Sequence, residues 1–145
     1  MCLRTCTAKV CLLQIFKAMN EDRLYAFYGS LRLGMENYNR FKDGLEFLRK
    51  EELRGFRLFS LTDYPYAIAT ENRGDCMVVE LFKITNSKTE ELIHQVEMDA
   101  GYIFVNIEIA KQKFGIYLFT EANVNDVRVE SGDWVVYKQA LAFES

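Results

Sequence analysis

The stretch Tyr25-Ala26-Phe27-Tyr28-Gly29-Ser30-Leu31-Arg32-Leu33-Gly34 decides how this chain is read. An apolar, aromatic run of strand character stops at Tyr28-Gly29-Ser30-Leu31. A glycine directly after a strand lets the backbone turn through conformations closed to other residues. A turn of that kind can aim several amide N–H groups at one point. Backbones hold carboxylates and developing oxyanions in this way without a charged side chain. Taken alone, the segment also fits an ordinary strand-ending turn.

Working outward, the 145 residues fit one domain with room for a sizeable core. Half of the chain is apolar and 14% is aromatic, which argues against disorder. The net charge of −3, with Lys and Arg scattered among acids, offers neither the basic footprint of a nucleic-acid binder nor a membrane-surface patch. No apolar run reaches the length of a membrane span. Residues 1–18 read as a leader or extension, and residues 19–145 as a single domain. The leader holds Cys2, Cys6 and Cys11, whose spacing matches no zinc pattern, and its short apolar patch lacks a cleavage site. Cys76 reads as a small core residue, and a reducing cytoplasm is the simplest setting.

The chain reads mostly as strands: 24–28, 45–53, 56–61, 66–70, 76–84, 104–110 and 114–119. A tight turn at Lys111-Gln112-Lys113 joins the last two, and 133–137 reads as a final short strand. Residues 35–42 read as a short helix. Leu92, Ile93 and Val96 give helical spacing to a second, which Asn86 or Ser87 can cap, with Ser87 and Glu90 placed for a capping box. This pattern predicts an α+β domain whose sheet can curl into a barrel.

Catalytic options are few. His94 is the one histidine, so any Ser-His-Asp triad must use it. Ser30 could serve as its nucleophile, but the second glycine of a nucleophile elbow is missing. His94 equally fits a solvated helix position. Glu97 ends the amphipathic helix among Met98, Tyr102 and apolar strand ends. Desolvation there would raise its pKa and make it a proton acceptor near neutral pH. A surface glutamate at a helix C-terminus is the alternative. Arg32 fits either an anion-binding or a solvated role, and Trp134 a packing role.

The order Tyr28-Gly29-Ser30-Leu31, Gly55-Phe56-Arg57-Leu58, Tyr64-Pro65-Tyr66-Ala67-Ile68, Val79-Glu80-Leu81-Phe82-Lys83-Ile84, Ile93-His94-Gln95-Val96-Glu97 and then Tyr102 resembles the gamma-glutamylcyclotransferase-like (AIG2-like) family. The closing Ser131-Gly132-Asp133-Trp134 resembles its bacterial members. The resemblance implies an α+β fold with a small mixed β-barrel and flanking helices, and a pocket beside the barrel, roofed by the loop at 28–31. It implies that loop amides hold a γ-glutamyl group, that Glu97 is the catalytic acid/base, and that Tyr102 and Tyr66 border the ligand. The implied reaction is intramolecular: the α-amine attacks the γ-carbonyl and releases 5-oxoproline and an amine or amino acid. It needs no metal or cofactor, only a small γ-glutamyl substrate. The sequence leaves the oligomeric state open. It departs from the family pattern at His94, Met98 and Phe104, where an aspartate, a glycine and often an arginine are expected. Those departures also admit a non-catalytic binding module on the same fold.

Overall fold

The computed structural model describes residues 21–144. The expectations placed on residues 1–18, including the three leader cysteines, lie outside the described residues. Strand β1 (Leu24–Phe27) forms the centre of a five-stranded sheet. The other strands of that sheet are β2 (Leu45–Arg54), β5 (Cys76–Ile84), β6 (Ile103–Ile109) and β7 (Gln112–Leu118), in the order β2-β5-β1-β7-β6. A three-stranded sheet holds β3 (Phe56–Ser60), β4 (Pro65–Ala69) and β8 (Val127–Arg128), in the order β4-β3-β8. Helices α1 (Glu36–Phe41), α2 (Ser87–Asp99) and α3 (Trp134–Glu144) complete the architecture.

The α+β class is as expected, but neither sheet closes into a barrel. The five-stranded sheet has free edges at β2 and β6. A tight two-residue turn at Ala110-Lys111, both at positive φ (51° and 69°), returns β6 into β7 rather than onward. That turn lies just before the expected Lys111-Gln112-Lys113. Residues 133–137 are not a strand. Asp133 Oδ1 accepts from the amides of Val135 (3.1 Å) and Val136 (3.2 Å), and the chain continues as α3. The two-residue β8 carried no sequence signal of its own.

Period-2 alternation along β1 serves two cores. Tyr25 and Phe27 point to one side, where they meet Phe82, Ile84 and Ile93 of α2. Ala26 and Tyr28 point to the other, where they meet Leu58, Met77, Phe114, Ile116 and Trp134 of α3. A central strand buried on both faces must be apolar throughout, as this one is. Trp134 packs, as its sequence context suggested, and is fully buried. Asn86 caps α2 by accepting from the Thr89 amide at 2.8 Å. Glu90 leaves the expected capping-box geometry. Its buried carboxylate turns inward and accepts the Tyr25 hydroxyl at 2.7 Å.

Candidate active site

The loop after β1 is held from below by its own backbone. The amide of Arg32 donates to Gly29 O (3.0 Å), and the amides of Asn37 and Tyr38 both donate to Ser30 O (3.0 Å). The N–H groups of Gly29, Ser30 and Leu31 take no backbone acceptor among the described residues. They remain available as donors. Gly29 earns its place differently from the sequence expectation, since its φ is not positive. A Cβ there would lie 2.7 Å from Pro65 Cγ and 2.8 Å from Cδ, so glycine lets Pro65 pack against the loop backbone.

Arg32 is neither solvated nor turned toward a ligand. It is 3% exposed, with Nε 2.8 Å from Glu80 Oε2 and Nη1 2.7 Å from Asp133 Oδ1. Glu80 Oε1 also accepts the Leu33 amide at 2.7 Å. The loop is thereby tied to β5 and to the cap of α3 by charge-assisted hydrogen bonds.

Above the loop is a cavity of about 250 Å³. Tyr28, Gly29, Ser30 and Leu31 line it together with Glu97 and Tyr102, six of the seven residues expected at the site. Helix α2 brings Glu97 there in its last turn, where the Glu97 carbonyl accepts the amide of Tyr102 at 3.3 Å. Among the described residues no hydrogen bond or ion pair to the Glu97 carboxylate is present. Burial pushes its pKa up to about 7. Its place at the negative end of a helix acts in the same sense. The charge of Glu97 in turn adds to burial in raising the hydroxyl pKa values of Tyr28, Tyr102 and Tyr117.

Tyr66 is the seventh expected residue, and the structure places it outside the cavity lining. It is 1% exposed and stacks between Phe59 (5.3 Å) and Phe119 (4.5 Å). Its hydroxyl donates to Asp126 Oδ2 (2.6 Å) and accepts from the Asn123 amide (3.1 Å). Tyr66 therefore pins the 119–126 segment. Sequence reading missed Asn37, whose Nδ2 donates to Ser30 Oγ at 2.8 Å, and Tyr117, whose ring reaches the cavity from β7. The strand alternation that buries Tyr25 and Phe27 was the available signal for Tyr117, because the three face the same core.

The departures from the family pattern do not enter the cavity. His94 is half-buried beside Phe104, with Nδ1 2.9 Å from the Tyr117 hydroxyl, so it is not a solvated helix residue. It is also far from forming a triad: Ser30 Oγ is bonded to Asn37 instead. Met98 is 44% exposed, and Phe104 packs on Tyr25 and Tyr117. None of the three lines the cavity.

A barrel-less α+β frame and a loop after the central strand that shares its cavity with Glu97, Glu36 and Asp63 define a class of small pocket proteins. Residues 25–136 match the family described as Gamma-glutamyl cyclotransferase, AIG2-like, and the chain belongs to that family. Among curated proteins none matches the chain. Solved structures share the fold. The uncharacterized protein PH0828 of Pyrococcus horikoshii is 23% identical, with a TM-score of 0.69 over 83% of this chain and 96% of its own. Protein c4763 of uropathogenic Escherichia coli is 25% identical, with a TM-score of 0.66 over 81% and 95%. The allophanate hydrolase of Kluyveromyces lactis is 12% identical, with a TM-score of 0.69 over 83% of this chain but 21% of that one. No helix among the described residues is long and apolar enough to cross a membrane.

Proposed function

We propose that the protein is a γ-glutamyl cyclotransferase that releases 5-oxoproline from a γ-glutamyl amine or amino acid. One observation carries the reading. Glu97 is a largely desolvated, half-buried carboxylate without a cation, and it lines the same cavity as a loop whose Gly29, Ser30 and Leu31 amides take no backbone acceptor. A structural carboxylate at such a burial would have a partner. A proton shuttle must not have a permanent one, because it has to exchange protons near neutral pH.

The chemistry follows from those parts. The substrate carries nucleophile and electrophile in one molecule. Glu97 takes a proton from the α-ammonium, and the freed nitrogen attacks the γ-carbonyl carbon. A C–N bond forms, and the carbonyl electrons move to oxygen. When they return, the bond to the leaving amine breaks and Glu97 gives its proton to the departing nitrogen; the ring nitrogen, cationic after the attack, loses its second proton through Glu97 to the released amine, which departs as an ammonium and leaves the neutral lactam. The carboxylate ends as it began. Holding the chain folded for ring closure supplies part of the rate, on the order of 7–11 kcal/mol in well-oriented intramolecular cases. The loop N–H groups receive the anionic oxygens of the substrate, and no step requires a metal. The cytoplasm is the setting consistent with such a substrate.

The test is a panel of γ-glutamyl amines, amino acids and an ε-lysyl isopeptide, assayed for 5-oxoproline. Turnover with at least one is expected, and Glu97→Gln should lower it by about 10²–10⁴-fold, the usual span for losing a general acid–base. A variant as active as the parent contradicts the mechanism. The binding-module reading drew on His94, Met98 and Phe104, and these lie outside the lining. It would be favoured by a thermal shift with γ-glutamyl ligands and no product from any of them.

A further inference from the structure

The cavity is walled by acids of one sign. Its ionisable lining, the tyrosines apart, is Glu36, Asp63 and Glu97, and no Lys, Arg or His lines it. These three acids are not a local cluster. Glu36 opens α1, Asp63 sits in the turn between β3 and β4, and Glu97 is in the last turn of α2. Three separate elements each send one carboxylate to the same space. Glu36 and Asp63 are exposed and Glu97 is half-buried, so the first two stand at the mouth and the third further in. Among the described residues neither mouth carboxylate forms an ion pair. The basic side chains around them are engaged elsewhere. Arg32 is held by Glu80 and Asp133, Arg40 stands over the Phe41 ring at 4.8 Å, and Lys138 donates to Thr62 O at 3.1 Å.

The turn that carries Asp63 leaves it little freedom. Ser60 pairs with Pro65, and the Leu61 amide donates to Tyr64 O at 2.9 Å, so only Thr62 and Asp63 form the loop. The Thr62 amide is tied to Ser60 Oγ at 3.0 Å. Tyr64 follows, 39% exposed, and also lines the cavity. An aromatic face next to carboxylates is a surface that attracts organic cations. The amides of residues 29–31 already serve the anionic oxygens of the γ-glutamyl head, and Asn37 Nδ2 is used on Ser30 Oγ at 2.8 Å. A further carboxylate, carried on the departing amine, would meet like charge at the mouth and no Lys or Arg to pair with. A positive charge in the same place would meet two carboxylates that lack a cation.

We propose that the leaving group is a cationic amine, a diamine or polyamine whose far nitrogen rests at the mouth against Glu36, Asp63 and Tyr64. The inference deepens the cyclotransferase reading and rests on it. The mouth acids choose the substrate, and the proton transfers stay with Glu97. An amino acid released with its own carboxylate is disfavoured by the same charges.

Three γ-glutamyl amides of matched length test this on the full chain. They are the amides of 1,4-diaminobutane, n-pentylamine and 5-aminopentanoate, which end in a cation, a methyl group and an anion. Measured by 5-oxoproline release, kcat/KM for the diamine should exceed that for the pentylamide by about fivefold or more, with the acid lowest. Raising the salt to about 1 M should draw the three values together, because the Debye length falls to about 3 Å. In the double variant Glu36→Gln, Asp63→Asn the ratio of diamine to acid should fall by about fivefold or more. A general loss of folded protein leaves that ratio unmoved. A diamine no better than the pentylamide, or a ratio unaltered in the double variant, overturns the proposal and leaves the cyclotransferase reading standing. If none of the three releases 5-oxoproline, the turnover reading fails, and calorimetry with the same amides decides. Tighter binding of the diamine, lost in the double variant, supports the cation site, and equal or absent binding overturns it.

Discussion

Two sets of buried charge flank the same loop, and they are built on opposite plans. Below residues 29–33, Arg32 is clamped by Glu80 at 2.8 Å and Asp133 at 2.7 Å, and Glu80 also takes the Leu33 amide. Both carboxylates there share the one guanidinium. Above the loop, Glu97 shares its cavity with tyrosines, apolar side chains, Glu36 and Asp63, and no Lys or Arg lines it. The first arrangement is held against change. The second keeps a carboxyl close to its midpoint of ionisation. The ion cluster below holds the loop with which Glu97 shares its cavity.

Breaking the clamp should have the largest effect. Arg32→Met leaves the buried Glu80 and the half-buried Asp133 without their cation, and the expected loss of stability is about 3–5 kcal/mol in urea unfolding. A loss under about 1 kcal/mol would mean that the cluster is solvated and structurally idle.

The upper region should respond to pH in a way the lower does not. The folded pKa of Glu97 stands near 7, above its ordinary value of 4.5. A raised carboxyl favours the protonated folded state. Its stabilising effect is complete below about pH 4.5 and fades as the pH climbs through 7. The full swing is as much as about 3 kcal/mol. Glu90 contributes a slope of the same sign, and Asp133 one of the opposite sign at lower pH. Parallel melts of the parent and Glu97→Gln cancel both. The difference curve should show the variant gaining on the parent between those limits. A flat difference places the carboxylate in water.

Gly29→Ala tests the join between the two regions. Its Cβ would press on Pro65 at 2.7 Å, so Pro65 or the loop must move. Overpacking of this kind costs about 1–3 kcal/mol. Displacement of the donor amides should raise KM more than it lowers Tm-derived stability, measured on the same preparation. The smallest change should be Tyr66→Phe. It removes the bonds to Asp126 and the Asn123 amide, for about 1 kcal/mol, while 5-oxoproline production stays within about twofold. A large loss of turnover would return Tyr66 to the site.

The sequence revealed those features whose cause is local. Period-2 runs marked most strands of the central sheet, and the Leu92, Ile93, Val96 spacing marked α2. Residues brought together over long distances were harder to read. Arg32, Glu80 and Asp133 are separated by up to 101 positions, and nothing in any one segment marks them as partners. Closure into a barrel depends on how sheet edges meet, which alternation alone does not encode. Residues 133–137 alternate enough to suggest a strand, and only the Asp133 cap starts a helix there. At the candidate site, the loop showed as an abrupt strand end and Glu97 entered through the family resemblance, and both line the cavity. Asn37 carried no signal, since its bond to Ser30 exists only in the folded chain, and the alternation that marked Tyr117 was passed over.

The contrast between the two buried regions comes down to the ionisation of one side chain. Carbon-13 NMR of glutamate-labelled protein, with Glu97→Gln to assign the resonance, reads that ionisation directly. The account predicts that the Glu97 carboxyl titrates at about pH 7. A midpoint at or below 4.5 would contradict it, because a carboxyl with an ordinary pKa is either solvated or already paired.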